Sequence, residues 1–196
     1  MFKDFFVIND IFDDPFSVVE KAKQLDYYVS SDCLDRVNDY EHLNLRKGHL
    51  NVPDFLTGYW KGFRTNLLHK IDEKFFADLM NQIFNKALNV HPVRYDYNVM
   101  AQFHIIPNGL KFDDSWVHSD NAFFAGVVYL NKEPESNSGT IIEIDGKQQT
   151  VENKFNRLVM YNGKLKHAPQ DCFYGDVEDR LVLTFFLQQL KITYNI

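Results

Sequence analysis

The alternation of apolar and polar positions divides the chain into two parts. In "IDEKFFADLMNQIFNKAL", Phe75, Phe76, Leu79, Met80, Ile83, Phe84 and Ala87 recur at i, i+3, i+4 and i+7, the spacing of a helix buried along one side. Asp72 stands where its carboxylate can cap the first turn. "DDPFSVVEKAKQLDYY" predicts an earlier helix: Asp13 or Asp14 caps it, Pro15 takes the first helical position, and Phe16, Val19 and Lys23 are spaced along a face. From Asp32 to Asn66 no period is sustained and Gly, Pro, Asn and Asp are frequent, which predicts loop with short strands.

Beyond Val93 the period shortens to two. "RYDYNVMAQFHII", "SWVH", "FFAGVVYLN", "SGTIIEI", "KQQTV", "RLVMYN" and "RLVLTFFLQ" are runs of β-branched and aromatic residues separated by turn formers. Asp145-Gly146 between two of them is a two-residue hairpin signal. Strands in series without intervening helices point to an antiparallel sandwich or barrel. The expectation is one mainly β, α+β domain over residues 1–196, with a helical and loop part at 1–92 and a β core at 93–190.

Composition narrows the partners. A chain of 196 residues with 45% hydrophobic content is long enough for one substantial core. With 27 acidic against 21 basic residues, a net charge of -6 and no basic stripe, it is not built to neutralise a nucleic-acid backbone. No apolar run approaches the ~20 residues of a membrane span, and "MFKDFFVIND" carries acids where a signal peptide needs an apolar segment. A soluble, cytoplasmic protein is expected. Cys33 and Cys172 suit a reducing compartment, and neither has the neighbourhood of a nucleophile.

Candidate chemistry begins at "WVHSDN", where His118 and Asp120 stand two residues apart. With 7 histidines and 27 acids in the chain, one His-x-acid is what chance supplies, so the spacing alone is weak. Three features strengthen it. An extended chain projects residues i and i+2 to one side, so both groups can converge on one ion. His167 in "MYNGKLKHAPQ" follows a strand and a turn, and two imidazoles with one carboxylate make the facial set that suits non-haem Fe(II). Arg180 heads the apolar strand "RLVLTFFLQ", where a guanidinium is costly to bury unless it meets an anion such as a dicarboxylate. Val182 and Thr184 share its face, so Thr184 can add a hydroxyl to the same pocket.

Other residues have two readings each. His104 alternates with Gln102 and Met100 on one strand face, and contacts a ligand there or is a core histidine with a satisfied hydrogen bond. Arg64 in "KGFRTN" is read first as a solvated or capping loop charge, and second as a substrate-side residue. Asn121 orients Asp120 or simply ends the strand. His42, His49, His69 and His91 have no ligating spacing and are read as surface or structural.

In that order, His118-x-Asp120, "SGTIIEI", "NRLVMYNGKLKHAP" and "GDVEDRLVLTFFLQ" resemble the 2-oxoglutarate and Fe(II)-dependent oxygenases. More narrowly, with "YWKGFRT" upstream, they are similar to a microbial and phage branch near the prolyl-4-hydroxylase-like group; the resemblance covers roughly residues 55–190. It implies a double-stranded β-helix (jelly-roll, cupin-like) core with the N-terminal helices packed against it. It also implies Fe(II) held by His118, Asp120 and His167, and Arg180 paired with the far carboxylate of the cosubstrate 2-oxoglutarate. The implied reaction consumes dioxygen and 2-oxoglutarate, hydroxylates a C–H bond, and releases succinate and carbon dioxide. A site of that kind must exclude water, and Trp116, Phe123, Phe124, Val182 and Phe185 are its expected apolar lining.

The sequence departs from the family at one point: the usual tyrosine on the strand before the His-x-Asp is absent. Gln102 and His104 stand there instead, and Tyr97 is further upstream on the other face. Two rival readings stay open. A cupin-type metal-binding enzyme without 2-oxoglutarate would leave Arg180 without a partner, and a silent binding module would be expected to have lost a ligand. The substrate, a small molecule or a peptidyl side chain, would be selected by the irregular segments Cys33–Thr65 and "IIPNGLKFDDS".

Overall fold

The computed structural model describes residues 4–45, 61–89, 94–110, 116–134, 137–170 and 179–193. His49, His91, Cys172 and parts of the two segments expected to select substrate lie outside them. Eleven strands are described: β1 Phe5–Ile8, β2 Asp26–Val29, β3 Asn44–Leu45, β4 Phe63–Thr65, β5 Arg94–Ile106, β6 Phe124–Tyr129, β7 Thr140–Ile144, β8 Lys147–Val151, β9 Leu158–Asn162, β10 His167–Pro169 and β11 Arg180–Thr193. They form an eight-stranded sheet ordered β1-β9-β6-β11-β5-β4-β2-β3 and a three-stranded sheet ordered β10-β7-β8. Every pairing is antiparallel except β2 with β3.

The long pair β5–β11 is the spine, running from Arg180 opposite Ile106 to Thr193 opposite Arg94, with one irregularity between Leu187 and Gln189. From β5 onward the chain alternates between sheets: β5 and β6 in the large one, β7 and β8 in the small, β9 in the large, β10 in the small, β11 in the large. Between β5 and β6, His118 bridges to His167 of β10. The β7–β8 turn is the Asp145-Gly146 hairpin, both residues left-handed (φ 51 and 72), as that turn type requires.

The large sheet has a different core on each face. On one face lie helices α1 (Pro15–Lys23) and α3 (Glu73–Leu88), with the short α2 (Leu68–Ile71) leading into α3. Asp14 caps α1 through the Ser17 amide (3.1 Å) and Asp72 caps α3 through the Phe75 amide (3.0 Å). Phe76, Leu79, Met80, Ile83, Phe84 and Ala87 are the buried stripe of α3, as the periodicity predicts, and Tyr97 faces them, on the side of β5 opposite Gln102 and His104 as expected. On the other face, Ala125, Tyr129, Val159, Tyr161 and Val182 pack against Ile142 and Val151 of the small sheet.

Four expectations are corrected. α1 ends at Lys23, and "DYYV" continues as β2, held to the helix end by the Tyr27 hydroxyl donating to the Ala22 carbonyl (3.1 Å). Its buried stripe is Val18, Val19 and Ala22, while Phe16 is 53% exposed and lies on Phe155 at the rim. "SWVH" makes an isolated bridge instead of a strand. In the N-terminal part, β3 and β4 are short strands of the kind expected between Asp32 and Asn66, but β1 and β2 were not expected, and Ser31–Tyr40 winds as a 3-10 helix.

Alternation along β11 sends Leu183, Phe185 and Leu187 to the helix side and Arg180, Val182, Thr184 and Phe186 toward the small sheet. Phe185 fits because Gly126 stands opposite it: a Cβ at 126 would lie 2.3 Å from the Phe185 ring. Gly126→Val should therefore cost about 1–3 kcal/mol by overpacking. Adding Phe185→Leu should recover part of that loss in urea midpoint, and no recovery would show that the ring is not the obstacle.

Candidate metal centre

His118 and His167 come together through the backbone. The His118 amide donates to the His167 carbonyl (3.1 Å) and the His167 amide to the His118 carbonyl (2.9 Å), which sets the two rings with centroids 4.3 Å apart. The Asp120 amide donates to Gly163 (2.7 Å), closing the segment onto the β9–β10 turn. Only glycine fits at 163, where a Cβ would lie 2.4 Å from the Ala122 carbonyl oxygen. The expected convergence of His118 and Asp120 is thus reached by a bridge and a turn contact rather than by a regular strand.

The tautomers follow from the partners. His118 Nδ1 lies 2.7 Å from the Trp116 carbonyl oxygen and His167 Nδ1 lies 2.9 Å from that of Leu165. A carbonyl can only accept, so each Nδ1 carries the proton and each Nε2 presents a lone pair. Those two Nε2 atoms lie 3.6 Å and 3.2 Å from the Asp120 carboxylate oxygens, and the three ligand atoms fall within 4.8 Å of one another. Asp120 Oδ2 is buried and accepts no hydrogen bond. Lone pairs facing a carboxylate at this range repel unless a cation or proton lies between them, and ligands at right angles around an ion at ~2.1 Å stand about 3 Å apart. The donor set fits a divalent metal, and the Nδ1–H contacts supply the outer hydrogen bonds that orient ligating imidazoles.

Electrostatics add a pH dependence. Burial would raise the Asp120 pKa, but the two imidazoles outweigh it and hold the carboxyl at about 2, so Asp120 is ionised at any working pH. Burial pushes His118 down, yet the Asp120 carboxylate outweighs this and its pKa stands above the ordinary 6.5. In metal-free protein, the His118 contribution to stability is therefore present below 6.5 and lost as pH rises through the raised value. That of Asp120 is present above 3.8 and lost as pH falls toward about 2. For metal binding the sign reverses, because the proton competes for the imidazole. Affinity for Mn(II), titrated between pH 8 and 5.5, should fall steadily; a flat profile would exclude imidazole ligation.

One cavity touches Asp120 and His167 of the triad together with Arg180. Arg180 is 4% exposed, with its guanidinium carbon 5.3 Å from the Tyr129 ring centroid. Nη2 donates to the Gly139 carbonyl (3.2 Å) and weakly to Thr140 Oγ1 (3.4 Å), while Nε is buried with no hydrogen-bond partner. Burial lowers the Arg180 pKa from 12.5. Thr184 and His104 line the same cavity. His104 Nε2 donates to the Lys61 carbonyl (3.0 Å), and burial, then Arg64, hold the ring neutral.

Several residues sit differently from expectation. Gln102 lines a separate outer chamber rather than the Arg180 cavity. Arg64 is 4% exposed on β4, opposite His104, rather than a solvated loop charge. Asn121 is exposed and accepts from Lys164 Nζ (3.1 Å). Of the expected apolar lining, Val182 faces the cavity, while Phe124 and Phe185 belong to the helix-side core because strand alternation turns them away. Phe123 is 51% exposed, and Trp116 is buried with Lys61 Nζ 5.2 Å from its ring centroid. Tyr161, Thr140 and Phe186 line the cavity without having been singled out by the sequence, and Tyr129 sits under Arg180. The Tyr161 ring lies 4.5 Å from that of His167, and burial, then the Asp120 charge, keep its phenol protonated.

No family model matches the sequence, and no curated protein matches it by sequence. Solved structures match it by fold. A prolyl-4-hydroxylase from Pseudomonas putida aligns with TM-score 0.54 at 16% identity, over 95% of this chain and 93% of that one. An oxidoreductase of the 2OG-Fe(II) oxygenase family from Burkholderia pseudomallei aligns with TM-score 0.60 at 8% identity, over 94% and 84%. A prolyl hydroxylase from Trichoplax adhaerens, solved with a hypoxia inducible factor oxygen degradation domain peptide fragment, aligns with TM-score 0.56 at 14% identity, over 94% and 83%. With a His-Asp-His group able to hold a metal at one end of its cavity, the chain has the fold of the 2-oxoglutarate/Fe(II) oxygenases near the prolyl-4-hydroxylase-like group.

Proposed function

We propose that the protein is an Fe(II)- and 2-oxoglutarate-dependent oxygenase that hydroxylates a C–H bond of an organic substrate and releases succinate and carbon dioxide. One observation carries this reading: the cavity lined by Asp120 and His167 of the His118-Asp120-His167 group is also lined by the buried Arg180. A dicarboxylate with an α-keto acid at one end needs those two features in one cavity. The passage of the chain between the two sheets supports taking the β core as a double-stranded β-helix.

His118, Asp120 and His167 would hold the iron, with the Trp116 and Leu165 carbonyls fixing both imidazoles. Bound iron would supply the activation of dioxygen and the oxidation of 2-oxoglutarate. Arg180 would bind the far carboxylate, with Thr184 adding a hydroxyl. His104, whose neutral ring donates to the Lys61 carbonyl, lines the same cavity and would stand in for the usual tyrosine. Val182, Ala125 and Phe186 make the walls apolar and keep water out. A cytoplasmic, reducing setting suits both Fe(II) and the thiol of buried Cys33.

The test is purified protein with Fe(II), ascorbate and 2-oxoglutarate, followed by succinate release without added substrate. Slow uncoupled turnover is expected. Neither succinate nor calorimetric binding of 2-oxoglutarate would overturn the proposal.

A further inference from the structure

Outside the inner cavity, a second chamber of about 370 Å³ opens beside the metal centre. Its size is that of a small-molecule site. It shares Asp120 and Phe186 with the inner cavity but contains none of Arg180, Thr140 or Thr184. Leu67, Met100, Ala122 and Phe186 supply its apolar wall. Two polar side chains at its border are already engaged: Asn121 accepts from Lys164 Nζ (3.1 Å), and Arg64 has a partner within the protein. Gln102 differs from both, being 3% exposed with its Oε1 buried and no hydrogen-bond partner for that atom among the described residues. Thr184 does not satisfy it, since its hydroxyl donates to the Gln102 backbone carbonyl (3.3 Å).

Strand register puts Gln102 at the boundary between the two spaces. Gln102 lies opposite Thr184, and Met100 opposite Phe186. Thr184 and His104, the latter two residues on from Gln102 along the same face, line the inner cavity, while Met100 lines the outer chamber. The register then shifts between Leu187 and Gln189, which leaves Gln188 without an opposite residue on β5 and places it at the chamber. Bulges of this kind re-aim side chains beside functional sites. A buried amide oxygen left unpaired weakens the folded state unless a ligand or a water brings it a donor. In the planar amide the Nε2 donors lie beside that acceptor. A group presenting N–H and C=O on one edge therefore satisfies both, whichever way the amide is turned. A primary carboxamide and a lactam ring have such an edge. A trans peptide bond does not, because its N–H and C=O point apart.

We infer that this chamber binds the primary substrate through the Gln102 side-chain amide, and that the substrate is an uncharged molecule with a primary carboxamide or lactam edge and an aliphatic body. The amide edge pairs with Gln102, and the aliphatic body lies on Leu67, Met100 and Phe186, beside the Asp120 wall that the chamber shares with the inner cavity. A charged acid fits less well, because the cation bordering the chamber, Arg64, is already engaged. The assignment of this ligand as substrate rests on the oxygenase reading; its binding does not.

The test uses intact protein with Mn(II) under anaerobic conditions, read by calorimetry and thermal shift without 2-oxoglutarate. The probes are 4-methylpentanamide, caprolactam, the methyl ketone 5-methylhexan-2-one, 4-methylpentanoate and N-methyl-4-methylpentanamide. The primary amide or the lactam should bind and raise the melting temperature, and whichever binds more tightly assigns the edge. The ketone and the carboxylate, which lack the donor, and the N-methyl amide, whose donor points away from its acceptor, should each bind about tenfold more weakly or worse. Gln102→Leu should bring the amide down to the affinity of the ketone, and without ligand it should melt no lower than wild type, since an unpaired buried acceptor is removed. Gln102→Met repeats the measurement if the leucine variant fails to fold, and the probe series on wild type needs no variant. Ketone or carboxylate binding as tightly as the amide, no binding of either the amide or the lactam, or a Gln102 variant that keeps the tenfold preference would overturn the inference. 2-Oxoglutarate is titrated separately: wild type that shows the amide preference but does not bind 2-oxoglutarate keeps the binding assignment and sinks the oxygenase reading.

Discussion

Asp120→Ala is expected to abolish iron retention while leaving the fold in place. Asp120 is the only anionic member of the triad, and its charge is what two neutral imidazoles cannot replace around a dication. The loss should exceed the roughly 10–100-fold that follows removal of an outer hydrogen-bond partner, because a direct ligand is removed. The fold survives because the contact that shapes this segment comes from the Asp120 amide to Gly163, which alanine retains. Two measurements separate these effects: metal content after gel filtration, and the melting temperature with and without Mn(II). Wild type should gain about 2.7 kcal/mol at a metal concentration 100 times its Kd, and the variant should gain nothing. A variant that keeps its metal, or that unfolds without it, would show that Asp120 is structural.

Arg180→Met should show the opposite signs for stability and binding. The guanidinium is wholly surrounded by protein, its Nε has no partner, and the bond to Thr140 is long at 3.4 Å. Replacing such a charge with an apolar side chain of similar length removes a desolvation cost, so the ligand-free protein should melt no lower than wild type. Affinity for 2-oxoglutarate should fall by about 2–4 kcal/mol, roughly 30- to 700-fold in Kd, since a buried carboxylate loses its bidentate partner. Arg180→Lys should fall between, keeping charge but losing the planar fork. Calorimetry with 2-oxoglutarate and a melting curve without it decide the matter. If the methionine variant collapses yet 2-oxoglutarate still binds it, Arg180 holds the sheets together instead of a ligand.

How much was legible depended on which physical signal each element carries. α3 was readable because its stripe repeats over sixteen residues and a capping aspartate precedes it. β11 and β7–β8 were readable from β-branched runs and an Asp-Gly turn. β1 and β2 were not: four-residue strands have too few positions to show a period, and "DYYV" follows a helical pattern without a break. The phenylalanines were misplaced for a related reason. Period two says that Phe124 and Phe185 lie opposite their neighbours, but not which face meets the helices.

The convergence of His118, Asp120 and His167 and the burial of Arg180 were expected from the sequence by itself. These are residue types whose cost of burial or ligating chemistry is local, and their order along strand-like segments was enough to name them. Only the tertiary structure decided that Arg64 is buried opposite His104, that Gln102 lines a chamber without Arg180, that Tyr161 lines the cavity and that Tyr129 sits under Arg180. Each of those facts depends on strand register between segments tens of residues apart. Register is set by packing across the whole sheet, so no local stretch of the chain contains it.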